Sequence, residues 1–123
     1  MSKKANKQKG RYGEALAVKF LQKSGYFIKT VNFRTRYGEI DIIAEKESSI
    51  YLVEVRLRKG YQYGTPEESL TIRKLRKLKL MAFIYLNFFK HILSFEIEFI
   101  SIVIANNAIF IKKYNITEKV MSS

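Results

Sequence analysis

The sequence predicts a single α/β domain of the α+β type, a mixed sheet flanked by helices in the order α-β-β-β-α-β-β. Three observations carry that expectation. A chain of 123 residues that is 47% hydrophobic is long and apolar enough for one compact core. Apolar residues recur at helical spacing in two stretches and gather into short β-branched runs elsewhere. Polar two-residue turns lie where hairpins would need them.

Residues 1–10 read as a basic, flexible arm ending at Gly10. Residues 12–24 follow as a helix, with Glu14, Ala17, Val18 and Leu21 on one stripe and Gly25 as its stop. Tyr26 to Asn32 reads as a first strand. Gly38 to Ala44 and Ile50 to Arg56 are β-branched runs joined by the polar Glu45–Ser49 segment, and they predict a hairpin. A Gly/Tyr-rich loop, Gly60 to Gly64, precedes a long helix. That helix is expected to start at Thr65, with Thr65 as N-cap, Pro66 in the first helical position and Glu68 closing a capping box. Leu75, Leu78, Ala82, Tyr85 and Phe89 supply its apolar stripe. Phe95 to Ile104 and Ala108 to Lys113 form a second hairpin around Asn106-Asn107. The domain is expected over 11–114, with 115–123 as a tail.

Lys and Arg number 23 against 11 acids, a formal net charge of +12 and a pI near 9.9. Such a surface points to a polyanionic partner: DNA, RNA or an anionic membrane. The absence of Cys excludes disulfide frameworks, thiolate zinc sites and Cys nucleophiles, and the lone His91 leaves no His cluster. No apolar run is long enough to span a membrane, and the basic N-terminus lacks the apolar stretch of a signal peptide. The expectation is therefore a cytoplasmic protein, without a small-molecule cofactor and without a membrane partner.

Ten of the eleven acids are Glu, and the single Asp is Asp41. Strand periodicity puts Glu39, Asp41 and Ile43 on one face of their strand. On the next strand, Leu52, Glu54, Arg56 and Arg58 share one face and Val53, Val55 and Leu57 the other. A turn centred on Glu47-Ser48 sets Ile42 opposite Val53, Ile43 opposite Leu52 and Asp41 opposite Glu54. Like charges directly opposed are destabilising, so such a pair asks for a proton or a bound cation. Two carboxylates with waters and phosphate oxygens suit Mg²⁺ or Mn²⁺. A turn at Ser48-Ser49 instead sets Asp41 opposite Arg56, an ordinary salt bridge. Glu14, on the apolar stripe of the first helix, is either a third site acid or a first-turn acid favoured by the helix dipole.

Gly13-Glu14 opening a helix, Gly38-Glu39-Ile40-Asp41-Ile42-Ile43-Ala44 and Val53-Glu54-Val55-Arg56-Leu57-Arg58 together resemble the YraN-like uncharacterised protein family. That family lies in the PD-(D/E)xK nuclease superfamily and is similar to archaeal Holliday-junction resolvases. Lys74 and the Ala82-x-x-Tyr85-Leu86 pattern fit as well, and the resemblance covers roughly residues 10 to 104. It implies a restriction-endonuclease-like core. By the same resemblance Asp41 and Glu54 are metal-binding acids, Glu14 completes the metal site, and Arg56 stands where the superfamily has a catalytic Lys. Arg stays protonated, so it stabilises negative charge but cannot accept a proton. Glu98 is a second departure, since the family usually has Asp there.

The expected function is thus nucleic-acid binding on a nuclease-like fold, with Mg²⁺- or Mn²⁺-dependent endonuclease action on branched DNA. The alternative is a non-catalytic binding module that has lost cleavage. Catalysis is expected of Asp41, Glu54 and Arg56, and metal binding of Glu14, Asp41 and Glu54. Arg34, Arg36, Arg58, Lys59, Lys74 and Lys77 are the expected nucleic-acid contacts, drawn from basic stretches that flank the hairpin. Tyr61 and Tyr63 are either base-stacking groups or ordinary turn residues. By analogy with resolvases, a symmetric junction would favour a homodimer. A weaker reading takes the basic long helix to an anionic membrane surface.

Overall fold

The computed structural model describes residues 3–92 and 94–123, with residues 3–9 followed as backbone. The elements are α1 (Lys3–Lys23), β1 (Phe27–Thr35), β2 (Gly38–Lys46), β3 (Ser49–Lys59), a 3-10 turn (Pro66–Ser69), α2 (Ile72–Phe88), β4 (Phe95–Ala105), β5 (Ala108–Asn115) and α3 (Thr117–Met121). One five-stranded sheet runs β1-β2-β3-β4-β5. Only β3 and β4 pair in parallel, and α2 is the crossover between them. This is the mixed α+β architecture and element order that the sequence predicts, with α3 added.

The sheet separates two apolar layers. On one face Ile43, Leu52, Ile97 and Phe99 pack under Leu75, Leu78, Met81, Ala82 and Tyr85 of α2, with Val120 of α3. On the other, Ile42, Ala44, Val53, Leu57, Ile100 and Ile102 pack under Ala17 and Leu21 of α1. Leu57 and Val55 approach α1 so closely that a Cβ on Gly13 would lie 3.2 Å from Leu57 Cβ. Glycine at 13 therefore lets the helix seat on β3, and it sets Glu14 at the edge of that contact.

Hairpin register agrees with the Glu47-Ser48 turn: Ile42 faces Val53, Ile43 faces Leu52 and Lys46 faces Ser49. Glu47 and Ser48 both take positive φ, 50° and 68°, as do Asn106 and Asn107 in the second hairpin, at 53° and 60°. Both are two-residue turns of the twist-compatible kind. The alternative register through Ser48-Ser49 is thereby excluded.

Several expectations need correction. Helix α1 begins at Lys3, so residues 3–10 continue the helix and do not form an arm. The first strand runs on to Thr35. The long helix starts at Ile72, capped by Thr71, whose side chain accepts the Lys74 N–H at 3.2 Å. Thr65 makes no side-chain cap, and Pro66–Ser69 closes a single 3-10 turn before the backbone leaves helical geometry at Leu70. Residues 117–121 are the helix α3, with Val120 fully buried, where a tail was expected. Among the described residues, no helix is long and apolar enough to cross a membrane.

Candidate functional site

Strict alternation fails on β2 at one residue, and that residue is Asp41. Ile40 and Ile43 both join the α2-side layer, whereas Ile42 and Ala44 join the α1 side. The β2–β3 ladder also stops at Ile42–Val53. On the neighbouring strand Asn32 takes a left-handed φ of 54° between the Val31–Ile42 and Phe33–Ile40 pairs. The strands part here, and the Asp41 side chain fills the gap: its Oδ2 accepts the Val55 N–H at 2.8 Å. A carboxylate thus replaces a ladder acceptor.

Asp41 and Glu54 come together as the sequence register implies, though across the end of the ladder and not as a hydrogen-bonded strand pair. They lie in a cleft of about 340 Å³ also lined by Glu14, Glu39, Arg56, Lys74 and Lys77. Glu54 is a buried acid, with its side chain 4% exposed, and Lys74 Nζ of α2 meets its Oε2 at 2.6 Å. Burial first, then the hydrogen bond to Glu54 and its charge, push the Asp41 carboxyl up to about 9; the Val55 N–H acts the other way. Desolvation also raises Glu14, against the opposing hydrogen bond from Asn32. Two acids on β2 and β3 therefore share one patch of poorly solvated space, with one ammonium group, that of Lys74, paired to them.

The donor set suits a hard divalent cation of the kind that takes one or two carboxylates and completes its shell with water and phosphate oxygens. Glu14 lines the same cleft but stands apart. Among the described residues, no three acids or histidines converge tightly enough to form a metal-binding group. Of the three expected acids, Asp41 and Glu54 are hydrogen-bonded to each other and Glu14 lines the same cleft.

Arg56 lines the cleft with its Nε buried and without a hydrogen-bond partner, a state that costs free energy until an acceptor arrives. An anionic oxygen would satisfy it. Lys77 closes the cleft from α2, its Cε only 2.8 Å from where a Cβ on Gly38 would sit. Lys77 could swing aside from a side chain at 38, but the Gly38 φ of 145° is a conformation that favours glycine.

Of the expected nucleic-acid contacts, Lys74 and Lys77 line the cleft. Arg34 reaches its rim, where its Nε pairs with Glu39 at 3.2 Å. Arg36 lies beyond it, stacked on Tyr37. Arg58 and Lys59 lie further along β3 and do not line the cleft. Tyr61 and Tyr63 are exposed in the loop after β3, away from the acids. Glu98 belongs to a separate buried network on β4, where it accepts from Tyr26 Oη at 2.9 Å and Lys113 Nζ at 2.7 Å. Sequence reasoning missed Asn32 altogether. Its only signal was an Asn in a strand, a residue type that tolerates left-handed backbone.

Comparison with known proteins finds a family model, described as uncharacterised protein family UPF0102, that matches residues 13–106. A UPF0102 protein of Syntrophomonas wolfei is 47% identical over 81 residues, covering 66% of this chain and 70% of the relative. One from Persephonella marina is 47% identical over 102 residues, covering 83% and 87%. One from Caldicellulosiruptor bescii is 51% identical over 76 residues, covering 62% and 64%.

Proposed function

The chain belongs to the uncharacterised protein family UPF0102, and on that premise we propose that it is a nucleic-acid-binding protein whose cleft is a divalent-metal nuclease centre acting on DNA, branched DNA included. The observation that carries this reading is the Asp41–Glu54 pair, two close acids kept in a poorly solvated cleft whose other charged walls are mostly basic. A purely structural role would be served as well or better by apolar residues of similar volume.

Asp41 and Glu54 would hold Mg²⁺ or Mn²⁺, which polarises a phosphodiester and acidifies a water. The protein's own groups divide the remaining work. The Val55 N–H fixes the Asp41 carboxylate and so orients its free oxygen. Arg56 and Lys77 neutralise phosphate oxygens, and Arg56 steadies the charge that builds up during attack. Lys74 offsets the Glu54 charge and presents an ammonium at the edge of the cleft. Because residue 56 is Arg, Lys74 is the one amine of the cleft that is bonded to a site acid. Glu14, whose affinity for a proton is raised by burial, faces the pair and can accept a proton from water.

The test is cleavage of branched, single-stranded and duplex DNA with Mg²⁺ or Mn²⁺. Wild-type protein should cleave at least one of these, and Asp41→Ala and Glu54→Ala should not. Activity that survives both substitutions would remove the assignment. Arg56 favours a second reading, a binding module that keeps the fold without turnover, since a guanidinium takes no proton. That reading expects salt-sensitive binding without cleavage, and gain of cleavage in Arg56→Lys would return residue 56 to a working site.

A further inference from the structure

We propose that an aromatic groove beside the cleft takes one unpaired base, so that the substrate class is nucleic acid with a single-stranded element. The inference rests on the nucleic-acid reading above and narrows it.

The groove measures about 480 Å³. Its floor is Phe33, held edge-on by Tyr85 with ring centroids 5.1 Å apart. Its wall is Phe88 at the end of α2, which is 71% exposed. Arg34, Arg36 and Tyr37 form the rim, with Tyr37 52% exposed and the Arg36 guanidinium 5.1 Å from its ring centroid. Phe33 and Phe88 meet edge-to-face, with ring centroids 6.5 Å apart, and so form an open aromatic corner edged by guanidinium groups. The exposed faces of Phe88 and Tyr37 suit a flat π-face with an attached phosphate.

Charge discriminates between a nucleobase and a second copy of the chain. The charged residues of the groove are both Arg, and the chain carries +12. Arg34 is paired with Glu39, and a symmetric pair of copies meeting here would bring Arg36 against its like-charged copy on a strongly basic chain. A polyanion meets no such opposition.

Position supplies the second argument. The turn from Thr35 to Gly38 is the partition between groove and cleft. It is fixed by the Tyr37 N–H, which donates to Thr35 Oγ1 at 3.1 Å, and by Thr35 Oγ1, which donates to the Gly38 carbonyl at 3.3 Å. Gly38 and Glu39 line the cleft on one side, and Thr35 to Tyr37 line the groove on the other. A strand whose phosphate lies over Asp41 and Glu54 would bring a neighbouring base to the groove once that base is free of its partner.

Fluorescence anisotropy in EDTA, with a labelled single-stranded oligonucleotide and a blunt duplex of the same sequence, tests the proposal. Tyr37→Ala and Phe88→Ala, both at exposed positions, should each weaken single-strand binding by about fivefold or more, while duplex binding changes by less than about twofold. Equal losses on both probes, or none on either, would overturn the groove assignment and leave the nucleic-acid reading standing. Wild-type protein that binds neither probe would overturn both. A wild-type dimer in sedimentation that Phe88→Ala dissociates would give the groove to a second copy and overturn it as well.

Discussion

Asp41 Oδ2 accepts the backbone N–H of Val55 at 2.8 Å, at the point where β2 and β3 cease to pair. The acid thereby does a structural task in the free protein, closing an open ladder, while its side chain also hydrogen-bonds with Glu54. Structure and chemistry are joined at one side chain, and their demands on its charge are opposite.

Asp41→Asn separates them. The amide oxygen can keep the Val55 bond, and the amide N–H can donate to Glu54 as a protonated Asp41 does. In the unfolded chain this carboxyl ionises near its ordinary 3.8, and in the folded protein only at about 9. Below the lower value both states hold the proton, and pH has no effect through this group. Between the two, the unfolded state releases a proton that the folded state keeps. Stability therefore falls as pH rises, by up to about 1.4 kcal/mol per pH unit from this one group. Urea unfolding in EDTA should show a loss between pH 5 and pH 8 that Asp41→Asn largely removes, with the variant the more stable protein at pH 8. Parallel pH profiles would contradict it.

Lys74 and the proposed cation answer the same need. Glu54 is buried, and Lys74, 25% exposed, is its counter-charge at 2.6 Å. Lys74→Met should destabilise the metal-free protein by about 3 kcal/mol, the low end of the cost of breaking a buried pair, since Lys74 is itself partly exposed. Millimolar Mn²⁺ should then raise the urea midpoint of Lys74→Met more than that of wild type. An equal rise in both would mean that ammonium and cation do not share Glu54.

Glu98 provides a contrast within one chain. It is as buried as Glu54, but Tyr26 and Lys113 meet it fully. Glu98→Ala should cost about 1–3 kcal/mol, because the buried Tyr26 hydroxyl loses its acceptor while the Lys113 ammonium keeps access to water, and the folded variant should bind Mn²⁺ as wild type does. A change in Mn²⁺ affinity would tie this network to the cleft.

Much of this was legible in residue order, and for identifiable reasons. The β2–β3 register could be read because a two-residue turn and two apolar faces leave few alternatives. Face assignments on β3 held because alternation is unbroken there. On β2 it breaks at Asp41, and a period-two pattern carries no sign of such a break. The start of α2 was misplaced because Thr65-Pro66 and Thr71 are both good helix starts, and only packing chooses between them. Helix α3, at five residues, is too short for periodicity to show. The nearness of Lys74 to Glu54 depends on how α2 lies across the sheet, a tertiary fact with no local signature.

Calorimetric titration of the metal-free protein with Mn²⁺ at pH 7, run in two buffers of different ionisation enthalpy, tests the central claim most directly. One Mn²⁺ per chain should bind with release of about one proton, because Asp41 must ionise to ligate. Affinity should rise with pH toward 9, and Asp41→Asn should abolish both binding and release. Undiminished Mn²⁺ binding in Asp41→Asn and Glu54→Gln, or no binding by wild type at millimolar Mn²⁺, would contradict a cation centre at this pair.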